Sequence, residues 1–166
     1  MDRRKFLKIT GLGLGSAAVL GWGLNRFGII GSKENYYLQG NYAPVKEIVS
    51  EDKLEVVGSI PKELSGLYLR NGPNPMGSPN AKKYHWFEGE GMLHGVRIDE
   101  GKAIWYRNRL VVGKDGAHPN THVISHAKKI YAIVEAGGKS VEIDQELNSL
   151  TEEPFYGTLE TGFTAH

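Results

Sequence analysis

The residues of this 166-residue chain that could do chemistry are six histidines and a scatter of acids, with no cysteine among them. A chain without thiols has no disulfide, no thiolate-bound zinc, no iron–sulfur cluster and no cysteine nucleophile. Any metal it holds must therefore sit on nitrogen and oxygen donors. The histidines are His85, His94, His118, His122, His126 and His166. His118, His122 and His126 recur every four residues, which on a helix would line one face. Pro119 and the β-branched run Thr121-His122-Val123-Ile124 argue for a strand instead. On a strand, residues four apart lie about 13 Å from one another, too far to share one ion. His85 and His94 lie among aromatics and turn glycines and read as packing or turn-bonding residues. Glu135 closes the apolar run Ile130 to Val134 and, on the residues alone, is a charge leaving a strand end. Glu88 and Glu90 are too close in sequence to flank a bond as a hydrolytic pair.

These groups need elements to hold them, and the sequence offers short strands and turns. Leu54 to Val57 is strand-like and is closed by Gly58; Gly66 to Arg70 is a second run. Asn71 to Asn80, with three prolines and two glycines, reads as a loop. Within it, Arg70-Asn71-Gly72-Pro73 reads as a segment pinned by hydrogen bonds. Gly89-Glu90-Gly91 reads as a tight turn rather than a phosphate cradle, since no helix follows it. Met92 to Ile98 and Ala103 to Val112 flank Asp99-Glu100-Gly101-Lys102, a hairpin turn with glycine supplying a positive φ. Thr121 to Ser125, Lys129 to Glu135 and Lys139 to Ile143 follow as strands, the last two joined through Ala136-Gly137-Gly138. No stretch after residue 31 has a helical stripe. The fold class is all-β, and periodicity leaves sandwich, barrel and propeller open.

Composition is that of a globular protein, 40% hydrophobic and 23% charged, with 22 glycines for its turns. The net charge is +1, but residues 1–31 hold five basic residues and one acid. The remainder is net acidic, so no nucleic-acid footprint is expected. Asp2-Arg3-Arg4-Lys5-Phe6-Leu7-Lys8 resembles a twin-arginine export motif, with Asp2 where Ser or Thr is usual. Ile9 to Leu24 then runs sixteen residues without charge and includes five glycines. That is shorter than the ~20 apolar residues of a spanning helix. Residues 1–31 are therefore expected to be a signal region directing export to a periplasm or equivalent lumen, or an uncleaved N-terminal anchor. The Gly11 to Gly15 run follows a basic stretch, not a strand, and is no dinucleotide loop. Residues 32–53 read as an extended lead-in, and the folded part as 54–166.

Two blocks carry a family resemblance. Gly66 to Pro75 reads Gly-Leu-Tyr-Leu-Arg-Asn-Gly-Pro-Asn-Pro, and Tyr84 to Ile98 reads Tyr-His-Trp-Phe-Glu-Gly-Glu-Gly-Met-Leu-His-Gly-Val-Arg-Ile. Their order resembles the N-terminal signature of the carotenoid oxygenases, the family of the carotenoid cleavage dioxygenases and the retinal-pigment isomerase. The resemblance runs from about Leu54 to His166. It implies a seven-bladed β-propeller with ferrous iron on its axis. At ~40–50 residues per blade, the roughly 110 residues after Asp52 would form two or three blades. The chain is thus expected to be the front part of a longer protein, inactive alone.

Thr161 to His166 resembles the family's Thr-Ala-His segment, which implies that His166 is the first of four histidine ligands to Fe(II). The family's strand comparable to Ile130–Glu135 ends in a glutamate that hydrogen-bonds an iron-bound histidine, which implies that role for Glu135. A carboxylate accepting an imidazole N–H fixes the ring and raises its basicity. The implied reaction is cleavage of a carotenoid or apocarotenoid double bond by dioxygen to two carbonyl products. The substrate is an apolar polyene, and peripheral membrane contact would suit its delivery. A stilbene-cleaving relative would share every motif, and a non-catalytic β-rich envelope domain, or gene remnant, is the reading from another class.

Overall fold

A computed structural model describes residues 35–135, 137–150, 154–159 and 165. The chain divides into residues 1–36 and 37–166. The expected signal region, 1–31, lies outside the described residues. Among those described, no helix is long and apolar enough to cross a membrane.

The architecture is all-β, as expected, and antiparallel throughout. One sheet has four strands, β1 (Ser50–Glu51), β2 (Gly66–Asn74), β3 (Glu90–Asp99) and β4 (Lys102–Leu110), in the order β1-β4-β3-β2. The other has three, β5 (His122–His126), β6 (Lys129–Ile133) and β7 (Val141–Ile143), in the order β5-β6-β7. Strand alternation sends one face of each sheet into a shared core. Leu93 and Trp105 of the first sheet, with Val111 beyond it, meet Ile130, Ala132, Val141 and Ile143 of the second, and Leu147 completes the cluster.

Turn chemistry sets the registers. Glu100 and Gly101 join β3 to β4 with φ of 44° and 74°, the two positive values that a two-residue hairpin turn requires. Glycine supplies only one of them, and Glu100 takes the other. Ala127 and Lys128 turn β5 into β6 in the same way, with φ of 48° and 65° and no glycine at all.

Three expectations are corrected. Leu54 to Val57 is not a strand; Val57 is 94% exposed. The edge of β4 is taken by Ser50–Glu51, paired with Arg107 and Tyr106, so this run has no strand to join. Asn71 to Asn74 is strand, not loop. It continues β2 opposite Leu93 to Glu90, and Pro73 is tolerated because β2 is an edge strand. Gly89 and Gly91 do not turn the chain by positive φ. Gly91 lies inside β3, where a Cβ would come within 2.0 Å of the Pro119 carbonyl oxygen.

Asparagine side chains stand in for backbone partners and fasten the lead-in to the sheet. Asn74 accepts from Val45 N–H (2.7 Å) and donates to the Val45 carbonyl (3.0 Å). Asn108, 1% exposed, accepts from Val49 N–H (2.6 Å) and donates to the Glu47 carbonyl (2.9 Å). Asn71 donates to the carbonyls of Pro119 and His122 at 2.9 and 3.2 Å, holding the second sheet to the first. The Arg70–Pro73 segment is therefore pinned by hydrogen bonds, as its sequence suggests.

Candidate functional site

β6 builds the candidate site. Its apolar residues alternate between two faces. Ile130 and Ala132 enter the core between the sheets, while Tyr131 and Ile133 face the other way. Phe155 stacks on Tyr131 with ring centroids 4.2 Å apart and planes 15° apart. Ala165 is buried against Tyr131 and Ile133 in the same cluster. The residue preceding His166 is thus seated on the outer face of β6. His166 itself lies outside the described residues.

Glu135 follows Ile133 by two residues, past the end of β6. It is exposed, and its N–H donates to Thr121 Oγ1 at 3.4 Å. The fold therefore seats Ala165 on the strand that leads to Glu135, although the two are thirty residues apart in sequence. Among the described residues, no three His, Asp or Glu side chains are grouped to hold a metal ion.

The other histidines have local employment. His85 caps a 3₁₀ turn by accepting from Phe87 N–H (3.3 Å), and its ring lies 4.8 Å from that of Tyr37. His118 Nδ1 is 2.8 Å from the Val111 carbonyl oxygen. His122 and His126 occupy opposite ends of β5, across from Ile133 and Lys129.

His94 is half-buried in β3, and its Nδ1 is 2.8 Å from the Tyr106 hydroxyl. Its pKa lies below the usual 6.5, first because burial penalises the imidazolium and second because Arg70 is close. Arg70 is its cross-strand partner. Arg70→Met should raise the His94 pKa towards, but not up to, 6.5, since burial remains. Titration of the His94 ring by NMR reads this directly; an unmoved value would remove Arg70 as a cause. The sign for stability follows. Below pH 6.5 the unfolded chain takes up a proton that the folded chain refuses. Stability is therefore lost as pH falls from 6.5 through the lowered folded value.

The sequence gives no prominence to Glu142. It sits between Val141 and Ile143 on β7, opposite Tyr131, and is 6% exposed. Lys129 Nζ reaches its Oε2 at 2.8 Å. The available signal is the single acid in the run Val-Glu-Ile, which period-two alternation places on the face opposite the core.

Comparison with known proteins bears on the family and the fold. Residues 42–115 match the family described as retinal pigment epithelial membrane protein. A carotenoid cleavage oxygenase of Mycobacterium tuberculosis is 42% identical over 153 aligned positions, covering 80% of this chain and 30% of that protein. The chain is of the carotenoid oxygenase family. A carotenoid 9,10(9',10')-cleavage dioxygenase 1 of Pisum sativum is 51% identical over 81 residues, covering 48% of this chain and 15% of that protein. Among solved structures, the lignostilbene dioxygenase of Pseudomonas brassicacearum superposes with a TM-score of 0.65 at 22% identity, covering 76% of this chain and 32% of its own. An apocarotenoid oxygenase of Synechocystis gives 0.60 at 17%, covering 72% and 32%. At such identities the structures speak for the fold alone. This chain of the carotenoid oxygenase family spans about 30% of the length of its mycobacterial relative.

Proposed function

We propose that these residues form the first two or three blades of a seven-bladed propeller enzyme that cleaves a double bond of a carotenoid or apocarotenoid with dioxygen, using Fe(II). The observation that carries this reading is the 42% identity with the mycobacterial carotenoid cleavage oxygenase. The donor chemistry suits the metal, since the chain offers imidazole and carboxylate but no thiolate. His166 would be one iron ligand, with the other imidazoles supplied from beyond the matched third of the relatives. The burial of Ala165 on Tyr131 and Ile133 supports placing that ligand on the outer face of β6. Glu135 would accept the N–H of the liganding imidazole and hold the ring in one tautomer. When bound, iron supplies the activation of dioxygen. The chain's own contribution would be to present His166 from Ala165, the residue buried against Tyr131 and Ile133. The same reading has the protein exported through Asp2 to Lys8, with an apolar substrate delivered from a membrane surface.

A protein in which this chain is continued by the remaining two-thirds of the mycobacterial relative tests the proposal. It should retain iron and convert a carotenoid to two carbonyl products. Glu135→Gln should weaken iron binding about 10–100-fold, and His166→Ala should weaken it more. Iron retained equally by the His166→Ala protein would end the assignment. Lignostilbene belongs beside the carotenoids in the product assay, because a stilbene-cleaving enzyme shares this fold.

A further inference from the structure

A cleft of about 410 Å³ opens beside the strand face opposite the core, remote in sequence from Glu135 and His166. Its lining includes Tyr42, Arg70, Gly72, Trp86, Met92 and His94, and none of its lining residues is acidic. The size falls within the range of small-molecule sites. Tyr42 and Trp86 meet edge to face, 5.4 Å between centroids, and form an aromatic wall. The space exists because position 72 has no side chain. Gly72 pairs with Met92 across the sheet, and a Cβ built on it would find no atom within 4 Å.

The polar groups are arranged for an anion. Arg70 and His94 are direct cross-strand partners and so share a face. Arg70 forms no ion pair with a described residue. The hydrogen bond between His94 and Tyr106 occupies Nδ1. With the tyrosine donating, the remaining nitrogen, Nε2, carries the proton and is a donor. A guanidinium and an imidazole N–H side by side match the two oxygens of a carboxylate. The aromatic wall and Met92 offer an apolar surface for the rest of such a molecule.

We propose that this cleft binds a small carboxylic acid with an aromatic or apolar body, its carboxylate on Arg70 and His94 and its body against Tyr42 and Trp86 over Gly72. The site is independent of the iron reading and asks nothing of Glu135 or His166.

Benzoate is the probe and benzyl alcohol its uncharged counterpart, each titrated into the full chain by calorimetry, with the His94 ring followed by NMR. Benzoate should bind saturably, perturb the His94 ring, and bind roughly tenfold or more tightly than the alcohol, as expected for charge-assisted hydrogen bonds. Arg70→Met should erase that preference. Gly72→Leu should abolish binding by filling the cleft, and its backbone has no positive φ to strain. Retained β-sheet circular dichroism separates a blocked cleft from a misfolded chain. Absence of saturable benzoate binding in the millimolar range would overturn the proposal. So would equal binding of the alcohol, or unchanged benzoate binding in Gly72→Leu. A polypeptide that occupies this face, is lost in Gly72→Leu and is not displaced by benzoate would overturn it in favour of a protein contact.

Discussion

Gly91→Ala is expected to destabilise the folded chain by about 3 kcal/mol, at the upper end of what overpacking typically costs. The added methyl would lie 2.0 Å from the Pro119 carbonyl oxygen and 2.8 Å from its carbon. Both obstacles are backbone atoms, which no rotamer change can move. Gly91 is also fixed on its own side, since its carbonyl accepts from Val111 N–H at 2.8 Å and β3 holds it opposite Pro73. Relief must come from displacing Pro119, and that carbonyl is the one to which Asn71 donates. The substitution therefore strikes the seam between the two sheets. Asn71→Ala alone should cost about 1–3 kcal/mol, the range for stranding buried hydrogen-bonding groups. The double variant should cost less than the sum, because the alanine has already pushed Pro119 away. Urea denaturation followed by circular dichroism reads all three. A Gly91→Ala protein within about 0.5 kcal/mol of the parent, the usual span of surface substitutions, would mean that Pro119 is not held against β3.

What the sequence made legible was local. Gly101 announces the β3–β4 hairpin because one of its two turn residues needs no Cβ tolerance. Ala127 and Lys128 give no such notice. They accept positive φ because β5 and β6 are already held in register by side chains that pack on both faces. Pro73 suggested a loop because proline breaks ladders. Only the strand order, which puts β2 at an edge, removes the conflict. Leu54 to Val57 had strand-forming residues but no partner, and no local signal reports the absence of a partner. Gly91 looks in sequence like a turn glycine, since close approach by a segment 28 positions away leaves no mark in the neighbouring residues. The same limit applies at the site. Glu135 could be singled out by resemblance, and the fold adds that Ala165 is seated on the strand leading to it. Glu142 carries no local signal because burial of this acid depends on a cation thirteen positions earlier.

That pair yields the second large effect. Lys129 and Glu142 sit on neighbouring strands, and the 2.8 Å contact joins a carboxylate side chain 7% exposed to an ammonium group 23% exposed. Removing the lysine leaves the buried Glu142 carboxylate with its desolvation cost and without the Lys129 charge that offsets it. Lys129→Met should destabilise by about 2–4 kcal/mol, somewhat below the 3–5 of a fully buried pair because water still reaches the lysine. Glu142→Gln should do less, since the amide oxygen still accepts the Nζ hydrogen bond. Replacing both, Lys129→Met with Glu142→Leu, should recover much of the loss, because burying a pair of charges costs about as much as their attraction returns. The pair also lies on the outer face of β6 beside Tyr131, whose ring is covered by Phe155. The single variants should therefore loosen the packing of Phe155 and Ala165 on that face. Measured by denaturation, the double variant should be more stable than Lys129→Met alone. If it is instead as unstable as the Lys129→Met and Glu142→Leu losses added together, the pair is not coupled, and the packing of Ala165 rests on Tyr131, Ile133 and Phe155 without it.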